Sequence, residues 1–218
     1  MWVISDIHLH GKRKDFLSYW LLREFLLGIP DRSLILNGDI LDLLRDSYKN
    51  ICDEFWELLP LLFKKARFYV IGNHDRELLK RGFIFGVPIV ETLILGDTVI
   101  MHGDQFDFTT RSGGTFGQKI TATVAWLNDY VNSKIDVQAR RLEGWLRRQG
   151  RFGSIEVYRE KGLHHIASFF VGVLQVRKIV LGHTHKKDFF RVGPLECYNT
   201  GTWENGRSDR IELPDERG

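Results

Sequence analysis

Cysteine is scarce. The 218 residues hold only Cys52 and Cys197. Two thiols so far apart exclude a disulfide-stapled scaffold and a four-cysteine zinc site, and they fit reduced, inert groups. Proline is equally rare, with five residues, so a proline-rich linker or low-complexity class is excluded. No apolar run reaches the roughly 20 residues that a membrane helix needs. Met1–Asp6 carries no basic stretch of the kind that opens a secretory signal. These absences lead to the expectation of a cytoplasmic protein. Net charge is small too, at +3, which gives no reason to expect nucleic acid as a partner. What remains is ordinary for a globular domain: 43% hydrophobic and 27% charged residues.

The charge is unevenly placed. Residues 111–176 contain ten Lys/Arg against five Asp/Glu. That balance suits an anionic substrate or surface, or simply a solvated helix face. The rest of the chain alternates short apolar runs with helical spacing. Strands are predicted at Met1–Ser5, Ser33–Asn37 and Arg67–Ile71. Helices are predicted at Asp15–Leu27 and at Asp53–Lys65, the latter with a break or kink at Pro60. Further strands are expected at Phe83–Phe85, Leu93–Leu95, Thr98–Met101, Lys178–Leu181, Phe189–Val192 and Leu195–Asn199. The charged tail after Asn205 is expected to fray. The alternation argues an α/β fold. Residues 111–176, with helical patterns at Phe116–Gln149 and Ser154–Val176, read as a helical insertion into a single domain spanning 1–218.

Polar residues gather where the predicted strands end. Asp6 and His8 follow the first, and Asn37-Gly38-Asp39 the second. Gly72-Asn73-His74-Asp75 follows the third. His102-Gly103-Asp104 and Gly182-His183-Thr184-His185 close two later ones. Ligands in α/β folds bind beyond the carboxyl ends of strands. Any one of these segments is unremarkable alone; five together imply one convergent site. Oxygen and imidazole donors without thiolate suit Mn, Fe or Zn. More donors are present than one ion needs, which points to a pair of ions sharing a carboxylate.

The five segments Asp6-Ile7-His8, Gly38-Asp39, Gly72-Asn73-His74-Asp75, His102-Gly103 and Gly182-His183-Thr184-His185 resemble, in order, the motifs of calcineurin-like metallophosphoesterases. The resemblance implies two packed β-sheets flanked by helices, with two divalent metal ions at their edge; manganese is the first expectation, and Fe or Zn fits the same ligands. It implies Asp6, His8 and His185 as ligands of one ion, Asn73, His102 and His183 as ligands of the other, and Asp39 as the bridge. It implies that His74 stabilises the phosphate and protonates the leaving group, with Asp75 orienting its ring. Asp104, Arg111 and Arg76 are candidates for substrate contact or support.

Gly38-Asp39-Ile40-Leu41-Asp42-Leu43 has no arginine before Arg45, unlike the protein serine/threonine phosphatases. Asn37–Asp42, Ser5–Leu9, His102-Gly103-Asp104 and Asn199-Thr200-Gly201-Thr202-Trp203 are instead similar to the UDP-2,3-diacylglucosamine pyrophosphatase branch, whose best-known members carry arginine where this chain has His74. That similarity implies a nucleotide-lipid substrate. It also implies an insert that holds acyl chains, with peripheral contact at the inner membrane face. The insert's apolar residues serve equally for packing on themselves or for an oligomer contact. The alternative is a phosphodiesterase or phosphatase for small nucleotides, including dinucleoside polyphosphates. A non-catalytic scaffold of the same fold is the third reading. The superfamily contains a retromer subunit of this kind, which lacks the histidine that His74 retains.

Overall fold

The computed structural model describes residues 1–11, 16–104 and 175–214. The predicted insertion at 111–176 therefore lies outside the described residues, apart from 175 and 176. The chain divides into two compact units. The first comprises Met1–His102, Lys178–Phe190 and Cys197–Gly218; the second is Gly103–Arg177 with Arg191–Glu196.

The described residues are α/β, with two mixed sheets and flanking helices. Strands β1 (Trp2–Ile4), β2 (Leu34–Asn37) and β3 (Ala66–Val70) run parallel. β4 (Phe83–Ile84), β5 (Val87–Val90) and β11 (Ile211–Glu212) complete a six-stranded sheet of order β11-β1-β2-β3-β5-β4. The second sheet has order β6-β7-β8-β10-β9. Its strands are β6 (Thr92–Leu95), β7 (Thr98–Met101), β8 (Lys178–Leu181), β9 (Asp188–Val192) and β10 (Leu195–Asn199).

Alternation along each strand explains the layering. Val3, Ile35 and Val70 join Leu93, Ile100 and Val180 of the second sheet in one buried cluster. Their neighbours Ile4, Leu36 and Tyr69 face the other way. They pack with Leu22 and Leu26 of α1 (Phe16–Gly28), Ile51 of α2 (Tyr48–Glu54), and Leu58 and Leu62 of α3 (Leu58–Lys65). Strands covered on both faces need apolar residues at every position, which is why they read as unbroken runs.

Three expectations are corrected. The helix predicted at Asp53–Lys65 is two helices. The first begins at Tyr48, where the Ser47 side chain accepts from Asn50 N at 3.2 Å. Pro60 breaks nothing: it sits in the first turn of α3, where its missing N–H would have had no helical partner. Pro88 lies within β5 and pairs with Phe83, a strand that proline had masked in the sequence. The tail does not fray as far as 214. Ile211 and Glu212 pair with β1, and Leu213 N donates to Met1 O at 2.7 Å.

Candidate metal centre

The parallel strands aim their carboxyl ends at one place, and the loops that follow are laced together there. Asp6 N donates to Gly38 O at 3.1 Å, Ile7 N and His8 N to Asp39 O at 3.0 Å each, and Leu9 N to Ile40 O at 2.9 Å. Asp6, His8, Asp39, His183 and His185 all adopt positive φ, between 51° and 70°. Each costs roughly 1 kcal/mol relative to an ordinary backbone. Asp and His are among the non-glycine residues that tolerate this region best.

Glycines make room for the ligand side chains. A Cβ at Gly72 would stand against Asp39 Oδ1 and 2.6 Å from Asp39 N. A Cβ at Gly38 would meet the His102 ring. The glycine before each ligand in these motifs is thus a requirement of close packing rather than a loop signature.

Three groups of donor atoms result, each lying within 4.8 Å of one another: Asp6, His8 and His185; His8, Asp39 and His74; and Asp39, His102 and His183. In the first, Asp6 Oδ2 accepts from His183 N at 3.0 Å and from Ser5 Oγ. That fixes Asp6 Oδ1 toward His185 Nε2, 3.3 Å away, and His8 Nε2, 3.9 Å away. The two imidazole nitrogens are 3.1 Å apart. Two donors bound to one ion at about 2.1 Å lie roughly 3.0–3.4 Å from each other, so the His8–His185 and Asp6–His185 spacings fit a cation, while the Asp6–His8 pair is wider. Asp6 Oδ1 and Asn73 Oδ1 are both buried without a hydrogen-bond partner among the described residues, as donors to an ion would be.

Asp39 joins the groups. Its Oδ1 accepts from His74 N at 2.9 Å. Its Oδ2 faces His102 Nε2 at 3.1 Å, with His8 Nε2 and His74 Nε2 each at 3.9 Å. His102 Nδ1 donates to Asn37 O at 2.9 Å, which leaves Nε2 to face the carboxylate. Unless a proton or a cation lies between them, Nε2 and Oδ2 would oppose lone pairs. Burial alone would raise the Asp39 carboxyl, but the charge and hydrogen bond of His102, with the His74 amide and ring, hold it well below the usual range. Burial pulls the His8 imidazole down against the pull of Asp39 and Asp6. Asp6 and Glu204 push His185 up to about 10.

One predicted role is corrected. Asp75 does not orient His74. Its oxygens accept from Tyr69 Oη at 2.6 Å, Gly72 N at 2.7 Å and Ile40 N at 2.9 Å, and so brace the loops after β2 and β3. Burial, then the charge of Asp39, raises Asp75 to about 6. His74 leans on Asp42 instead, with Nδ1 donating to Oδ1 at 2.8 Å. Asp42 is fully buried, and its other oxygen pairs with Arg45 Nε at 3.2 Å.

Sequence reasoning passed over Asp42 although it stands three residues after Asp39 in a quoted motif. Glu204 was also missed. Its Oε2 lies 3.3 Å from His185 Nδ1, and the signal that could have found it is its place directly after the Asn199–Trp203 segment. Of the substrate candidates, Arg76 donates to Glu91 Oε1 at 3.1 Å, a surface ion pair. Asp104 is buried, which fits a supporting residue better than one that touches substrate. Arg111 lies outside the described residues.

A family model described as calcineurin-like phosphoesterase matches residues 1–187. Similar solved structures include the phosphoesterase Yfce from E. coli, at 14% identity, 97% of this chain and 88% of that one covered, TM-score 0.44. Wild-type Vps29 complexed with zinc, from Entamoeba histolytica, is 17% identical, with 99% and 88% covered and a TM-score of 0.42. The phosphopantetheinyl hydrolase of Mycobacterium tuberculosis is 13% identical, with 100% and 96% covered and a TM-score of 0.46. No curated protein sequence matches the chain. Likenesses this low say nothing of substrate. The family match is another matter: it takes in all five strand ends that carry the donor residues, and by it the chain belongs to the calcineurin-like phosphoesterases.

Proposed function

We propose that the protein is a hydrolase that uses two divalent cations to cleave a phosphoester or diphosphate. The observation that carries this reading is the position of Asp39 Oδ2, 3.1 Å from His102 on one side and 3.9 Å from His8 on the other. Asp6, His8 and His185 would hold one ion, Asn73, His102 and His183 the second, and Asp39 both. Manganese fits this donor set, as do iron and zinc. Bound there, the ions would supply Lewis acidity toward water and toward phosphoryl oxygens.

The chain's own residues do the rest. Asp42 holds His74 by Nδ1, so Nε2 turns toward Asp39 and is placed to hand a proton to a departing oxygen. Ser5 and the His183 amide fix the unused oxygen of Asp6, and Asn37 fixes the ring of His102. Such outer contacts keep the donors in place when substrate arrives.

For substrate, we favour a diphosphate of the UDP-diacylglucosamine kind, on the similarity of Asn37–Asp42 and Asn199–Trp203 to that branch. A cavity of about 840 Å³ beside His10, Arg45 and Asn50 is edged by Asp46, Asp53 and Glu54 as well, and so many carboxylates lend the nucleotide half no support. A small-nucleotide phosphodiesterase is the second reading. It is favoured by His74, since a general acid helps alkoxide leaving groups most. A scaffold without catalysis is disfavoured by His74 and the intact donor set.

Product analysis of the manganese-loaded protein with UDP-2,3-diacylglucosamine tests these readings. UMP and the lipid monophosphate are the expected products. No product, with bis(p-nitrophenyl) phosphate still cleaved, moves the search to nucleotides. Cleavage of neither sinks the hydrolase reading.

A further inference from the structure

The Nδ1 atoms of His102 and His185 have partners of different charge, and the charged one lies outside the five motifs. His102 leans its Nδ1 on a neutral backbone carbonyl, Asn37 O at 2.9 Å. His185 leans its Nδ1 on a carboxylate, Glu204 Oε2 at 3.3 Å, while its Nε2 faces Asp6 Oδ1 at 3.3 Å. The order carboxylate–imidazole–donor cluster is the one that fixes a ligating ring's tautomer and raises its basicity.

Glu204 is itself built into the site. Its N–H donates to Thr202 Oγ1 at 3.2 Å, and the same hydroxyl donates to Asp6 O at 2.9 Å. Trp203 N donates to Asp6 O at 3.2 Å. The Trp203 side chain is buried against Phe25, with ring centroids 5.3 Å apart. Arg207 Nη1 donates to His185 O at 3.2 Å. One short segment, 202–207, thus grips the backbone of Asp6 and both the ring and the backbone of His185.

We propose that Glu204 is the positioning residue of the Asp6–His8–His185 ion site. It fixes the His185 proton on Nδ1, keeps Nε2 as the donor and adds negative charge behind it. The Nδ1 of His102 has a neutral carbonyl as its partner. The inference rests on the two-ion reading above.

The test is a titration of the full chain, stripped with chelator, with cobalt(II), followed by calorimetry and by the visible absorption of the bound ion. The unaltered protein is expected to take up two ions. In Glu204→Gln, the side chain keeps an oxygen for the Nδ1 proton but loses its charge. One of the two binding steps should weaken by roughly 10–100-fold, with a changed cobalt spectrum for that step alone. Glu204→Ala should weaken the same step further. Two unchanged steps overturn the inference. So does equal weakening of both steps with a lower melting temperature of the ion-free protein, since that marks a general structural role. Uptake of no ion by the unaltered chain defeats the hydrolase reading itself, and is told apart from failure of the inference by needing no variant.

Discussion

Gly72 offers a sharp test of how closely the site is packed. In Gly72→Ala, the added Cβ would lie 2.6 Å from Asp39 N, where ordinary contact begins at 3.4 Å, and it would press on Asp39 Oδ1 as well. The nearest atoms are backbone and a carboxylate already held by the His74 amide, so no flexible side-chain end can swing aside. Asp39 must therefore move by something like the missing 0.8 Å, the difference between those two distances. Overpacking of this kind costs about 1–3 kcal/mol. For a chain of this size that lowers the melting temperature by roughly 2–12 °C. A catalytic group displaced by about 1 Å forfeits on the order of 100-fold in rate. Melting curves and hydrolysis of bis(p-nitrophenyl) phosphate with manganese measure the two effects. Gly28→Ala is the control. Nothing lies within 4 Å of its Cβ position at the end of α1, so stability should hold or rise slightly. A Gly72→Ala protein with wild-type turnover and melting temperature would refute the claim that this motif glycine serves close packing.

Asp42→Ala should slow turnover by roughly 10–100-fold with metal content largely kept, because Asp42 holds the His74 ring at 2.8 Å while its other oxygen stands 3.8 Å from His8 Nδ1, beyond a hydrogen bond. Loss of metal in that variant would make Asp42 part of the ion site instead; elemental analysis decides. Asp39→Ala should abolish metal loading and hydrolysis together, and activity retained there would end the two-ion mechanism. Tyr69→Phe removes the donor 2.6 Å from Asp75 Oδ2 and should cost about 1.5–3 kcal/mol at pH 8. Asp75 is raised to about 6 in the fold, so folding favours its protonated form. The Tyr69→Phe deficit should therefore shrink as pH falls through that value, in thermal unfolding at pH 5 against pH 8. Burial pushes the Cys197 thiol up to about 12, so a thiol reagent at neutral pH should label Cys52 and spare Cys197 until the protein unfolds.

Much of this was written in residue order. The buried strands announced themselves as apolar runs because sheets covered on both faces leave no polar position, as Leu34, Ile35 and Leu36 show. Donor residues were found because they follow those runs immediately. What escaped depends on contacts distant in sequence. Asp75 is the chain neighbour of His74 whereas Asp42 stands 32 residues away, and only the fold shows that Tyr69 and two loop amides claim the first and leave the ring to the second. Glu204 reaches His185 across residues that carry no periodic signal. β11 is two residues long among charges, too short to read until β1 is seen beside it. Pro88 concealed β5, although the strand pairs with β4 and β3 on either side.

The left-handed backbone at Asp6, His8, Asp39, His183 and His185 has a consequence for anyone who would improve this protein. A screen that rewards only resistance to heat would find easy gains at these five positions. Glycine there relieves the backbone, and at the buried Asp6, His8 and Asp39 it also removes a charge or an imidazole from a crowded interior. The survivors would be sturdy and unable to hold an ion. Selection for stability alone would thus erode the centre first. A screen meant to keep it must demand cation uptake in the same round.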